Sequence, residues 1–101
     1  MFSIPWFAGL YEGEGCLEHT SPKGYRLTIA STDYDVINKL ENCLGGYTRV
    51  MKKYKPHHKE AWMWRLGTKA SVYPLLEDMI PWLGLRRGYD AQNALDIMDG
   101  I

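Results

Sequence analysis

The ten residues Trp6–Gly15, Trp-Phe-Ala-Gly-Leu-Tyr-Glu-Gly-Glu-Gly, constrain this chain more than any other stretch. They begin as an amphipathic helix and end as an acidic, glycine-spaced turn. Ser3 is placed to cap the helix, and Pro5 falls in the first turn, where a missing N–H costs nothing. Ala8 and Gly9 are adjacent and small. A glycine inside a helix costs about 1 kcal/mol relative to alanine, a cost offset where another backbone packs closely. Gly13 and Gly15 are expected to stop the helix and leave Glu14 projecting from a tight turn. A carboxylate at the negative end of a helix macrodipole is unfavourably placed, which points to a cation beside it, such as a metal ion.

After Gly15 the periodicity changes. Cys16–Thr20 reads as a strand, Ser21-Pro22-Lys23-Gly24 as a turn, and Tyr25–Ser31 as the returning strand. In the returning strand Leu27 and Ile29 alternate with Arg26, Thr28 and Ala30, which gives one apolar face and one polar or small face. Thr32 or Asp33 then opens a helix with Val36, Ile37, Leu40 and Leu44 on one side, closed by Gly45-Gly46. Tyr47–Lys53 and Glu60–Leu66 form the next strand pair, with Trp62, Trp64 and Leu66 inward and Ala61, Met63 and Arg65 outward. Pro74 fits a following helix best if Ser71 rather than Thr68 is its cap, because proline belongs in the first turn. Pro81-Trp82-Leu83-Gly84-Leu85 breaks that helix, and a last helix runs from about Arg87 to Met98 with Ala91, Ala94, Leu95 and Met98 inward.

This order predicts one α+β domain over residues 1–101, an αββαββα core whose four-stranded antiparallel sheet has its helices on one face. The other face is left open. Its candidate residues are Glu18, Arg26, Thr28, Arg49, Met51, Lys53, Met63 and Arg65, a set suited to a DNA major groove, where base edges can be discriminated. The formal net charge is zero, yet the charges are segregated. Residues 23–69 hold ten Lys/Arg against four Asp/Glu, and the remainder holds two against eight. Such asymmetry makes one surface cationic in a neutral protein. Two cysteines, Cys16 and Cys43, in no regular framework fit a reducing intracellular compartment, and no apolar run suits a signal peptide or a membrane span. His57, His58, His19 and Cys16 match no recognised zinc spacing.

Phe7-Ala8-Gly9-Leu10-Tyr11-Glu12-Gly13-Glu14-Gly15 resembles the signature of the LAGLIDADG homing endonucleases, with Glu in place of both Asp residues. The resemblance extends to the order of elements. It implies a homodimer paired through the motif helices at Phe7, Ala8, Gly9, Tyr11 and Glu12, and a sequence-specific endonuclease making staggered double-strand cuts at a roughly palindromic DNA site. It implies Mg²⁺ held by Glu14 and the Gly13 carbonyl, with Arg86 near the scissile phosphate, Arg87 as the alternative or a DNA contact, and Asp33 orienting water. From the residues alone Asp33 reads first as a helix N-cap, and arginine is a poor proton shuttle because it hardly deprotonates. Double-stranded DNA is the expected partner, with no membrane and no small-molecule substrate. A LAGLIDADG-fold protein that binds DNA without cutting it, or an RNA-splicing maturase, is the alternative implied by Glu at both acidic positions and by Arg86 where the resemblance leads one to expect Lys.

Overall fold

A computed structural model describes residues 2–51 and 59–100. The first helix, α1 (Ile4–Glu14), starts as its sequence requires. Ser3 accepts a hydrogen bond from the Trp6 N–H at 3.2 Å, and Pro5 lies in the first turn. Its end differs from the expectation. The helix continues through Gly13 to Glu14, and Gly15 caps it with an ordinary negative φ while donating to the Tyr11 carbonyl. Gly15 is required for space, since a Cβ there would overlap the Tyr11 ring and lie 2.8 Å from the Tyr11 carbonyl oxygen. The chain therefore passes from helix to strand with no connecting loop.

Strands β1 (Gly15–Ser21) and β2 (Gly24–Ser31) form the first hairpin, and β3 (Tyr47–Val50) and β4 (Trp62–Leu66) pair antiparallel further on. The sheet order is β1-β2-β4-β3, so β2 and β4 sit centrally, antiparallel to each other. The second pair of strands is shorter than its sequence predicted, although the Met51 N–H still donates to the Ala61 carbonyl at 2.8 Å. Lys53 and the histidine pair lie outside the described residues.

Leu27, Ile29, Trp64 and Leu66 turn to one side and are buried against the helices. Trp64 fixes this layer: its ring meets Phe7 of α1 edge-on at 5.9 Å, and its indole N–H donates to the Gly45 carbonyl at 2.8 Å. Gly45 ends α2 (Tyr34–Leu44), which buries Ile37 and Leu40. Both Gly45 and Gly46 have positive φ, 79° and 82°. At Gly46 a Cβ would also overlap the Arg65 carbonyl oxygen, whereas Gly45 has open space around it.

Helix α3 (Lys69–Met79) is capped at Thr68, one turn earlier than Pro74 implied. Pro74 is therefore interior. Its ring is exposed, and Val72, Leu75, Leu76 and Met79 on the buried side hold the helix across it. A short 3₁₀ turn, Ile80–Trp82, leads to α4 (Leu85–Met98), which begins two residues before the expected Arg87 and buries Ala91, Ala94, Leu95 and Met98. Lys69 Nζ donates to the Met98 carbonyl at 2.8 Å, and the Tyr73 hydroxyl to Asp99 at 2.8 Å, tying α3 to the end of α4. Among the described residues, no helix is long and apolar enough to cross a membrane.

The two glycines after α2 should separate in a mutant series. Gly45→Ala incurs backbone strain alone, about 1–3 kcal/mol, because φ 79° with ψ −151° lies in a region essentially restricted to glycine. Gly46→Ala adds a backbone collision to its own positive-φ strain and should lose more, about 3 kcal/mol or above, in chemical denaturation.

Candidate nucleic-acid interface and acidic motif

The motif helix divides its residues between two surroundings. Phe7, Ala8 and Tyr11 are buried in the chain's own core, so they do not lie on the open side of α1 where a second subunit was expected to meet them. Gly9 and Gly13 are exposed, one helical turn apart, with nothing within 4 Å of a Cβ built at either. Half-buried Trp6 and Leu10 lie beside them in the helix. Lys39 of α2 sits 4.2 Å over the Trp6 ring.

The two acids of the motif also part company. Glu12 reaches the start of α4, where Oε1 accepts the Gly84 N–H at 3.0 Å and Oε2 lies 3.5 Å from Arg87 Nε. The second contact is an ion pair without hydrogen-bond geometry, since Arg87 Nε is buried and unpartnered. The Arg87 guanidinium also lies 4.9 Å over the Tyr11 ring. Arg87, expected as a DNA contact or a phosphate ligand, thus folds back onto α1. Burial raises the Tyr11 hydroxyl pKa, and Arg87 opposes the shift. Arg86 stays exposed and lines a cleft of about 370 Å³ with Gly15, Cys16 and Asp90.

Glu14 is exposed at the last position of α1. It lines a groove of about 500 Å³ together with Asp33, Ser31, Met51 and Ala61. Asp33 occupies the N-cap position of α2, but its side chain makes no capping hydrogen bond. Its backbone N–H instead donates to the Ser31 hydroxyl at 3.0 Å. The groove thus brings together Glu14, Asp33 and Met51 from three separate segments.

The open sheet face follows from strand register. Cys16, Thr28, Arg65 and Tyr47 form one row across all four strands; Ala30, Met63 and Arg49 form a second; Glu18 and Arg26 pair beyond them. Seven of the expected residues, Glu18, Arg26, Thr28, Arg49, Met51, Met63 and Arg65, therefore share this face or its continuation past Val50. Two residues of the face escaped the sequence reading. Tyr47 is legible as the next outward position of the Arg49 and Met51 alternation, and Cys16 as that of Glu18. The neighbouring Arg65 guanidinium foremost, with the charges of Arg49 and Arg26, holds the Tyr47 hydroxyl below its ordinary pKa. Tyr25 does not join it. Its ring stacks on His19 at 4.6 Å on the opposite side.

Within the cationic face Glu18 accepts from Arg26 Nη2 at 2.9 Å and from the Thr28 hydroxyl at 2.6 Å. These two hydrogen bonds hold its carboxyl below the ordinary value of about 4.5. A depressed folded-state pKa stabilises the fold above the unfolded value, and that stabilisation is lost as pH falls through the folded value. Glu18→Gln should therefore be less stable than the parent near neutrality by under about 1 kcal/mol, given the exposure of the pair. The gap should close in denaturation curves taken stepwise below pH 4.5.

Neither protein-family models nor curated proteins match this chain. Solved structures do. The homing endonuclease I-CvuI, in complex with its target in the presence of calcium, matches with a TM-score of 0.70 at 20% identity, over 95% of this chain and 65% of that one. The I-LtrWI LAGLIDADG homing endonuclease bound to target DNA gives 0.69 at 22% identity, over 98% and 38%. The LAGLIDADG meganuclease I-AabMI bound to uncleaved DNA gives 0.68 at 14% identity, over 98% and 38%. The chain thus spans just under two thirds of I-CvuI and little more than a third of the other two. With its αββαββα order, its open four-stranded sheet and a nine-residue motif of matching pattern on α1, this chain has the fold of the LAGLIDADG homing endonucleases.

Proposed function

We propose that residues 1–101 form one DNA-cutting unit, and that two copies pair through the outer face of α1 to cleave both strands of duplex DNA with Mg²⁺. The observation that carries this reading is the position of Glu14. It is an exposed carboxylate on the last turn of the motif helix, directly ahead of a sheet whose open face carries Arg26, Arg49 and Arg65. The descriptions of I-CvuI and I-LtrWI as target-DNA complexes support it.

The donors suit a hard cation, which takes carboxylate and carbonyl oxygens. Glu14 supplies the first and Gly13 the second. Among the described residues no group of three or more His, Cys, Asp or Glu could hold a metal, so a single chain offers an incomplete set, and a second Glu14 fills it. When bound, the ion polarises the phosphate, activates water and stabilises the leaving oxygen. The chain's own groups do the rest. Arg86 neutralises phosphate charge from the cleft beside Gly15, and Asp33 accepts a hydrogen bond from water in the groove it shares with Glu14. The sheet face reads the bases. A two-fold pair presents that reader twice, so the target is roughly palindromic. Free Cys16 and Cys43 fit a reducing compartment.

The seam in this reading is Gly9 and Gly13, with Glu12 at its margin. Two tests address it. Glu14→Gln should lower plasmid cleavage in Mg²⁺ by at least about 100-fold while leaving salt-dependent DNA binding in place. A parent protein that binds DNA steeply with salt yet never nicks it would instead be the non-cleaving relative or maturase. Gly9→Leu has open space in one chain, so it should stabilise the monomer by about 0.5–1 kcal/mol through helix propensity. The same change should abolish pairing in sedimentation velocity.

A further inference from the structure

The open sheet face is cationic except at Glu18. An acid amid arginines weakens attraction for phosphate, so a surface built only to grip a DNA backbone would exclude it. Here the carboxylate is built in. Glu18 stands opposite Arg26 in the β1–β2 register, and its two oxygens accept from Arg26 Nη2 and the Thr28 hydroxyl. Thr28 is nearly buried beneath this network, at 7% exposure. Arg26 Nε is buried and unpartnered, so the guanidinium can offer further donors only at its outward end.

The donors and acceptors left over match one object. An arginine carries five N–H groups and an ionised carboxylate about four acceptor sites. After the internal bonds, both Nη1 hydrogens and the second Nη2 hydrogen of Arg26 remain, and each Glu18 oxygen keeps acceptor capacity. Cross-strand partners stand about 5 Å apart at Cβ, so a donor fork and an acceptor lie side by side. In the major groove a G·C pair presents the N7 and O6 acceptors of guanine beside the N4 amino donor of cytosine. An A·T pair puts the adenine amino donor where Arg26 needs an acceptor, and the thymine O4 acceptor and methyl where Glu18 needs a donor. A phosphate offers acceptors only and is repelled by Glu18.

We propose that Glu18 and Arg26 act as one unit that reads a single G·C base pair, Arg26 bonding guanine and Glu18 bonding cytosine while holding the guanidinium in place. This rests on the DNA-binding reading above and adds an element of the target sequence to it.

The test is selection of bound duplexes from a randomised library in calcium buffer, using the full chain, Glu18→Gln and Arg26→Gln, with thermal unfolding of each measured alongside. The parent should enrich a G·C pair at one position in each half-site. Arg26→Gln should lose that preference, and Glu18→Gln should weaken it by about tenfold or more while leaving other positions unchanged. Glu18→Gln should also bind non-target DNA more tightly, because an anion has gone. The proposal is overturned if Glu18→Gln lowers the unfolding temperature but leaves every base preference intact. It is equally overturned if the position that Arg26→Gln relaxes favours A·T. A parent that shows no salt-dependent affinity for any duplex sinks the underlying DNA reading as well, an outcome distinct from selective binding without the G·C preference.

Discussion

The tightest constraint in this structure is the contact between Gly15 and the Tyr11 ring. It lets α1 run into β1 with no residues between them. Tyr11 is fully buried and carries Arg87 across its face, so the ring cannot yield to a side chain at position 15. The consequence is geometric. Glu14 is held one residue from the sheet, at a fixed offset from the row that begins with Cys16 and crosses to Thr28, Arg65 and Tyr47. A flexible linker at this point would uncouple the acidic position from the cationic surface. The close packing couples them.

The acids of the motif illustrate how one local pattern serves two ends. Glu12 is engaged within the chain, fastening the N–H of Gly84, the N-cap of α4, and the Arg87 side chain to α1. Glu14, two residues on, faces outward because a helix turns by about 200° over that spacing. The arginines that follow the 3₁₀ turn divide in the same way, Arg87 inward and Arg86 outward. Charge segregation along the chain likewise becomes spatial. Arg26, Arg49 and Arg65 come from three strands and converge on one face, and together they shift the Tyr47 hydroxyl.

Much of this was legible in the residues. Strand alternation placed Leu27 and Ile29 inward and Arg26 and Thr28 outward, because side chains on a pleat alternate strictly. The 3.6-residue spacing of Ile37 with Leu40, and of Ala91 with Ala94, Leu95 and Met98, identified their buried sides. Local rules failed where packing outweighed propensity. Gly13 does not end α1, since backbone hydrogen bonding continues to Gly15. Pro74 does not mark the first turn of α3, since burial of Val72, Leu75, Leu76 and Met79 holds a helix that proline alone would interrupt. Ala8 looked like half of an external seam and is core, because a small residue suits a crowded interior as well as a crowded interface.

By itself the sequence determined the element order, the inward and outward registers of β2 and β4, and an acidic terminus to the first helix. Those depend on periodicity and on the chemistry of neighbouring residues, which a linear reading contains. Only the tertiary structure decided which side of α1 stays bare, that Glu12 and Arg87 are occupied within the chain, and that Glu18 is embedded among Arg26 and Thr28. These depend on which segments meet in space, and residues as far apart as Glu12 and Gly84 leave no local trace of their contact.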